Sequence, residues 1–278
     1  MSTLTHTLVQ ISDTHIVGEG GLLHDKVDTT ANLLAAFRAV EELGTAKAVV
    51  LTGDLADTAD TSAYKRLRGH VDEFSERTGL PVLYMMGNHD ERAAFRAGLL
   101  DAEGTEPYDY SRIIDGLRVI VMDSTVPGHH YGELTPEQLA WLKEELATPA
   151  PAGTVFALHH PPMPSPLPIM AEVGFHEPEK LADVLRGSDV KIVLSGHAHH
   201  AAAGALAGIP VWISGANAYT QDVLVGPDRI RGIVGAACTR VDVYDDTATA
   251  ISVPVGASET VYEGAISEML AAAAEYSH

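Results

Sequence analysis

One cysteine, Cys238, stands in a chain of 278 residues, so no intrachain disulfide can form and no pair of thiolates is available to a metal. Basic residues are also scarce, 18 lysines and arginines against 38 aspartates and glutamates. The resulting formal net charge of −20 repels a polyanion at long range, which excludes a nucleic-acid polymer as main partner and favours a small substrate. Part of that charge belongs to carboxylates that bound cations would neutralise, so a metal site meets its substrate with a less negative field. No apolar run approaches the roughly 20 residues needed to span a bilayer, and no transmembrane segment is expected. Met1 to Thr7 lack a basic stretch followed by an apolar core, so no cleaved leader is expected. With a lone cysteine, this points to the reducing cytoplasm.

What is present reads as an ordinary globular chain, 46% hydrophobic and 20% charged. Leu33, Leu34, Phe37, Val40 and Leu43 fall on one helical stripe that Gly44 ends, and Ala63, Tyr64, Leu67, Val71 and Phe74 repeat the spacing up to Gly79. Lys47 to Leu51 and Pro81 to Met86 read as buried strands between them. Asp115-Gly116 joins Tyr108–Ile114 to Leu117–Met122 as a hairpin, which rules out a purely parallel sheet. Thr135-Pro136-Glu137-Gln138 starts a helix that is expected to bury Leu139, Leu142 and Leu146. Thr154–Leu158 and Val190–Leu194 are strands separated by a proline-rich loop and a short helix near Glu179 to Leu185. Further strands are expected at Ile209–Ser214, Gln221–Val225 and Arg240–Tyr244, with an alanine-rich helix from about Ala265. The fold class is therefore α/β with mixed sheets, read as one domain over residues 1–278.

Five of the apolar runs end in residues of metal-ligand type: Asp13-Thr14-His15, Gly53-Asp54, Gly87-Asn88-His89-Asp90, His159-His160 and Gly196-His197-Ala198-His199. An Asp-x-His pair alone is often a solvated turn or a helix cap. In an extended segment, however, residues two apart share a face, so Asp13 with His15 can grip one cation, and His197 and His199 can each serve a different one. A carboxylate such as Asp54 has two oxygens that can bridge cations about 3.5–4 Å apart, as two-metal hydrolases require. Asn88 offers a carbonyl oxygen, and His159, His197 and His199 offer imidazole nitrogens. Such a mixed N/O set suits Fe, Mn, Zn or Ni rather than Ca or Mg.

In type and order these five blocks resemble the calcineurin-like metallophosphoesterase superfamily, over roughly Val9 to His199. Within it the chain is most similar to bacterial class III 3′,5′-cyclic nucleotide phosphodiesterases, through Leu51–Asp57, Pro127-Gly128-His129-His130 and Ala157–Pro162. The resemblance implies a four-layer α-β-β-α sandwich, the metallo-dependent phosphatase fold, with ligands at strand ends and the segments after about residue 200 completing it. It assigns Asp13, His15, Asp54 and His199 to one metal and Asp54, Asn88, His159 and His197 to the other. Iron and manganese are the implied pair, with Zn, Ni or Co as other metals that the set accepts. His89 faces the substrate phosphate as the catalytic group, Asp90 is expected to orient an imidazole, and Asn88, His130 and His199 join His89 in substrate binding. A homodimer is also implied.

The chemistry expected is attack on phosphorus by a water acidified between two cations that share Asp54. His89 protonates the departing ribose oxygen to leave a 5′-monophosphate. The same chemistry tolerates glycerophosphodiesters or other small diesters, which stand as the competing substrates. A non-catalytic scaffold of this fold would lack ligands or the histidine of the Gly-Asn-His-Asp block, and neither defect occurs. The chain departs from its relatives in the loop Pro161 to Phe175, which either shapes the substrate pocket or packs as a rigid crossing, with Met163 to Ile169 a candidate dimer contact. His160 and His200, beside ligands, are expected to point away; Trp141 and Cys238 read as packing residues.

Overall fold

Strands that are apolar at every position, rather than at alternate ones, belong between two covering layers, and this chain has several. A computed structural model describes residues 2–18, 21–226, 228–256, 260–267 and 269–270. One sheet joins β1 (Leu4–Ile11), β2 (Ala48–Thr52) and β3 (Val82–Met85), all parallel, to the antiparallel β12 (Ala236–Tyr244) and β13 (Ala248–Val255) in the order β13-β12-β1-β2-β3. A second sheet contains β4 (Tyr110–Ile114), β5 (Leu117–Met122), β6 (Thr154–Leu158), β7 (Val190–Ser195), β8 (Ala202–Leu206) and β9 (Ile209–Ile213), ordered β4-β5-β6-β7-β9-β8. Its four central strands are parallel and its two edges antiparallel. A small hairpin pairs β10 (Thr220–Gln221) with β11 (Gly232–Ile233).

Alternate residues of each central strand feed different layers, which makes the stack explicit. Leu8, Val50, Val121, Val155, Ala157 and Ile192 meet between the two sheets. Val9, Ile11, Val49 and Leu51 face the other way, onto Phe37, Leu67 and Phe74 of α1 (Thr29–Leu43) and α2 (Thr61–Thr78). Ile120, Phe156, Leu158 and Val193 cover the opposite side with Leu142, Leu181 and Leu185, the first from α4 (Pro136–Glu145) and the others from α6 (Pro178–Leu185). The order is helix, sheet, sheet, helix. Two short helices, α3 (Arg92–Phe95) and α5 (Met170–Val173), sit in the loops above the strand ends. Because β12 and β13 pair onto β1, the chain beyond residue 200 finishes the first sheet.

Local signals explain the element ends. Asp28 and Asp60 cap α1 and α2 by accepting N–H groups of Ala31 and Ser62, and both helices stop at glycines in the left-handed region, Gly44 and Gly79. Thr135 and Gln138 form a reciprocal capping box on α4. Two expectations need correction. In α4 only Leu142 is fully buried among the three leucines, Leu139 and Leu146 being half-buried, whereas Gln138 is buried because its amide also donates to Asp109 and to the Asp123 carbonyl. Gln221–Val225 is not a strand beyond Gln221, because Asp222 accepts the Leu224 N–H and pairs with Arg231, turning the chain at Val223 to Val225. The helix expected from about Ala265 lies mostly outside the described residues.

Candidate metal centre

The carboxyl ends of parallel strands from both sheets open onto one place: β1, β2 and β3 deliver Asp13 with His15, Asp54 and Asn88, while β6 and β7 deliver His159 and the His197–His199 turn. The expectation that Asp13/His15 and His197/His199 lie in extended segments is not met. Asp13 (φ 53°), His15 (φ 43°), Asp54 (φ 47°), His197 (φ 68°) and His199 (φ 53°) all occupy the left-handed region, which L side chains enter at a cost of about 1–3 kcal/mol each. Hydrogen bonds hold them there. Asp13 N donates to Gly53 O (3.0 Å), His15 N to Asp54 O (2.9 Å), and His197 N to the Asp13 carboxylate (3.0 Å). Gly53 has φ 88°, and a side chain at that position would overlap the His159 ring.

Three donor groups result, two of them built on Asp54 and a third made of His15, Asp57 and His89. Asp13, His15, Asp54 and His199 each bring one ligand atom within 4.8 Å of the others, and Asp54, His159 and His197 do the same. Asp54 is common to both: its Oδ2 lies 3.6 Å from His15 Nε2 and its Oδ1 lies 3.4 Å from His159 Nε2. Each imidazole uses its other nitrogen to donate to a fixed acceptor. His15 Nδ1 bonds Asp57 Oδ1 (3.2 Å), His159 Nδ1 bonds Thr52 O (2.9 Å), His199 Nδ1 bonds Tyr219 O (3.3 Å) and His197 Nε2 bonds Val173 O (2.8 Å). Such bonds select the tautomer and aim the remaining lone pair, the arrangement found behind metal-bound histidines. His15 Nε2 and His199 Nε2 thereby face each other at 3.1 Å with Asp13 Oδ1 3.4 Å from His199. Lone pairs and carboxylate oxygens converging in this way call for a cation.

The buried atoms left without partners agree. Asn88 Oδ1 and His159 Nε2 are buried and have no hydrogen-bond partner, while Asn88 Nδ2 donates to His130 Nδ1 at 3.1 Å. A Cβ on Gly87 would intrude on Asp54 and His159, so that glycine keeps the space between the donors clear. The donor set therefore fits two cations of the nitrogen- and oxygen-binding kind. Electrostatics point the same way. Burial alone would depress the His159 imidazole, but the Asp54 carboxylate beside it holds it at about 9. Burial works against Asp54 too, yet His159, His15 and His89 outweigh it and keep its carboxyl well below the usual range. Burial and then His159 bring His197 down to about 4, and burial with His15 holds His199 low. Cations bound here would displace protons from an already polarised cluster.

Asp90 does not orient an imidazole, which corrects its expected role. Its buried carboxylate accepts the N–H groups of Leu55, Ala56 and Gly87 (2.8–3.2 Å) and the Tyr64 hydroxyl (2.9 Å), clamping the Asp54 and Asn88 loops together. Burial, then Asp54, raises it to about 6. His89 is oriented instead by the backbone: Nδ1 donates to Asp57 O at 2.8 Å, and its N–H donates to Asp54 Oδ1 at 2.9 Å. Its ring lies 4.7 Å from that of His15. Asp57 thus serves two histidines, through its carboxylate and through its carbonyl, and went unassigned from the sequence; its place in the Gly-Asp-Leu-Ala-Asp run was the only signal. His130 is exposed but bonded to Asn88. His160 is buried, receives a hydrogen bond from Ser124 Oγ (2.8 Å) and donates to His130 O (3.1 Å), so it anchors that turn. His200 is buried rather than on the surface. Leu167, Ile169 and Met170 of the proline-rich loop overhang the centre on one side, and Tyr219 and Ile230 stand on the other.

Comparison with known proteins yields a consistent set of likenesses. A family model described as calcineurin-like phosphoesterase matches residues 6–201. The chain is 45% identical over 259 residues to a protein of Mycobacterium tuberculosis (strain CDC 1551 / Oshkosh) named a cAMP/cGMP dual specificity phosphodiesterase, covering 92% of this chain and 81% of that one. It is 44% identical over 261 residues to a protein of Rhodococcus erythropolis named a probable cyclic nucleotide phosphodiesterase, covering 93% and 86% of the two chains. A crystal structure of a dimetal phosphatase from Danio rerio shares the fold, with a TM-score of 0.58 at 14% identity over 91% of this chain and 100% of that one. No helix among the described residues is long and apolar enough to cross a membrane.

Proposed function

This chain belongs to the calcineurin-like phosphoesterases, and from that premise we propose that it hydrolyses 3′,5′-cyclic nucleotides, cAMP foremost, to 5′-monophosphates. The observation that carries the chemistry is Asp54, a single buried carboxylate whose two oxygens face two separate sets of oriented imidazoles. The names of relatives at 44–45% identity favour the cyclic nucleotide as substrate. Asp13, His15, Asp54 and His199 would hold one cation, and Asp54, Asn88, His159 and His197 the other. Iron and manganese are the metals we assign on the family resemblance, and the nitrogen- and oxygen-donor set accepts them as it would Zn, Ni or Co. When bound, such cations stabilise charge on the phosphate oxygens and acidify an attacking water.

The remaining work falls to side chains. His89 sits beside the donor groups with its Nδ1–H given to the Asp57 carbonyl, which leaves Nε2 as the ring atom to deliver a proton to the leaving oxygen. As the phosphorus–O3′ bond breaks, that proton passes to O3′ and the ribose hydroxyl departs neutral. Asn88, His130 and His199 complete the phosphate surroundings, His130 through its bond to the Asn88 amide. The inter-sheet core and the pairing of β12 with β1 support a single domain over residues 1–278. We further assign a homodimer working in the cytoplasm on a small diester; the net charge of −20 disfavours a nucleic-acid polymer.

Steady-state hydrolysis of cAMP beside glycerophosphocholine and bis(p-nitrophenyl) phosphate, with manganese added and after chelation, tests this reading. It expects kcat/KM for cAMP to exceed the others and activity to vanish on chelation. Preference for glycerophosphocholine would replace the substrate, and activity that survives complete metal removal would overturn the site.

A further inference from the structure

The space directly over the donor groups is about 150 Å³, below the roughly 300–1,000 Å³ of a typical small-molecule site. A nucleotide whose phosphate lies there must extend into an adjoining cavity, and among the described residues three adjoin. The largest, about 760 Å³, lies behind the proline-rich loop and shares only Leu167 and Met170 with the space over the donor groups. The second, about 380 Å³, lies beyond His89, carries the charged side chains of Asp90, Glu91 and Arg92, and has no Tyr, Phe or Trp among its lining residues. The third, about 410 Å³, opens beyond Tyr219 between the His24–Val27 turn and the β10–β11 hairpin.

We propose that this third cavity receives the nucleoside of the substrate. The inference rests on the cyclic nucleotide reading above and goes beyond it in locating the base. Tyr219, Gln221 and Ile230 line both this cavity and the space over the donor groups, so the two adjoin along these three side chains. The Tyr219 ring is fixed, its centroid 4.4 Å from that of His199 and its edge against Gly232, where a Cβ would collide with it. Ile230, Ile233 and Val234 are 63%, 47% and 77% exposed, an aliphatic cluster on one wall of the cavity that the protein itself does not cover. Apolar walls beside a fixed aromatic suit a purine. Gln221 Nε2 donates to Arg231 O at 2.9 Å, which holds the side-chain amide in place and leaves its oxygen able to accept from an exocyclic amine. The hairpin keeps its shape through the Asp222–Arg231 ion pair.

Binding of 5′-AMP and of inorganic phosphate to the manganese-loaded full chain, measured by calorimetry, tests the assignment. Phosphate reports the metals alone, and the ratio of the two dissociation constants reports the nucleoside cavity. In Ile233→Asp and Val234→Asp, both at exposed positions that line only this cavity, 5′-AMP affinity should fall about tenfold or more while phosphate affinity holds. Leu224→Asp, on the same hairpin, 92% exposed and not among the lining residues, should change neither. If the unaltered protein prefers 5′-AMP to phosphate and the Ile233 and Val234 variants keep that preference, the cavity is wrong and the nucleotide reading survives. If the unaltered protein binds 5′-AMP no more tightly than phosphate, the nucleotide reading falls and the cavity assignment with it.

Discussion

At the residue scale the proposed centre separates groups that would hold metal from the group that would move a proton. His89 contributes no atom to either of the two donor groups built on Asp54, and it is positioned by the Asp57 carbonyl. His89→Ala should therefore keep its metal content while turnover falls about 10²–10⁴-fold, the usual worth of an acid–base group; paired metal analysis and kcat would show it, and unchanged turnover would remove His89 from the mechanism. Asp57 acts through others. Its carboxylate accepts from His15 Nδ1, and burial of His15, which disfavours the charged ring, is outweighed by that bond and by Asp54 and Asp13. Asp57→Ala keeps the carbonyl that orients His89 but releases His15. Metal affinity should drop about 10–100-fold, read by titration with a competing chelator, while kcat at saturating metal changes much less.

At the scale of elements the site depends on loops being tied to one another. Asp90 is the knot: it accepts backbone N–H groups from the loops after β2 and β3 and the hydroxyl of Tyr64 on α2. Asp90→Ala would leave these buried donors unsatisfied at about 1–3 kcal/mol for each group so stranded. The thermal midpoint should fall by several degrees and metal affinity with it, with no change in the shape of the pH–rate profile; a lost acidic limb would instead restore Asp90 to the chemistry. The element-level reading was largely available from sequence, because caps such as Asp28, Thr135 and Gly44 act within four residues and leave a local signature. It failed at Val223 to Val225, where apolar residues read as strand but the side chain of Asp222 captured the backbone first.

For the whole molecule, acid and base are distributed unevenly, and some carboxylates are held away from their ordinary range by the fold. Asp109, half-buried where β4 meets α4, is raised to about 6 by burial, with Gln138 and the Asp123 N–H working against the shift. A carboxyl with a higher pKa folded than unfolded binds its proton more tightly in the native state. Its contribution to stability grows as pH falls from above 6 toward 4 and is lost as pH rises. Thermal midpoints at about pH 7 and pH 5, for the unaltered protein and Asp109→Asn, would isolate it. Relative to the variant, the unaltered protein should gain stability on acidification, and parallel pH dependences would refute the shift.

Taken alone, the sequence determined the ligand types, their order and the strands that carry them. Runs such as Ala48–Thr52 and Thr154–Leu158, buried at every position, announce central strands before any coordinates exist. Periodicity and chemistry are local properties, and they survive in a linear string. What only tertiary structure decided were the partners: that Asp57 rather than Asp90 serves the histidines, that Val173 of the proline-rich loop aims His197, and that Tyr219 and Ile230 stand beside the donor groups. These contacts join loops that leave their strands through left-handed residues, Asp13, His15, Asp54, His197 and His199 among them. A residue in that conformation reverses the direction an extended strand would give its side chain. Once the local period is broken, spacing in sequence no longer says which way a group points, and the hydrogen bonds of the folded sheet ends decide it.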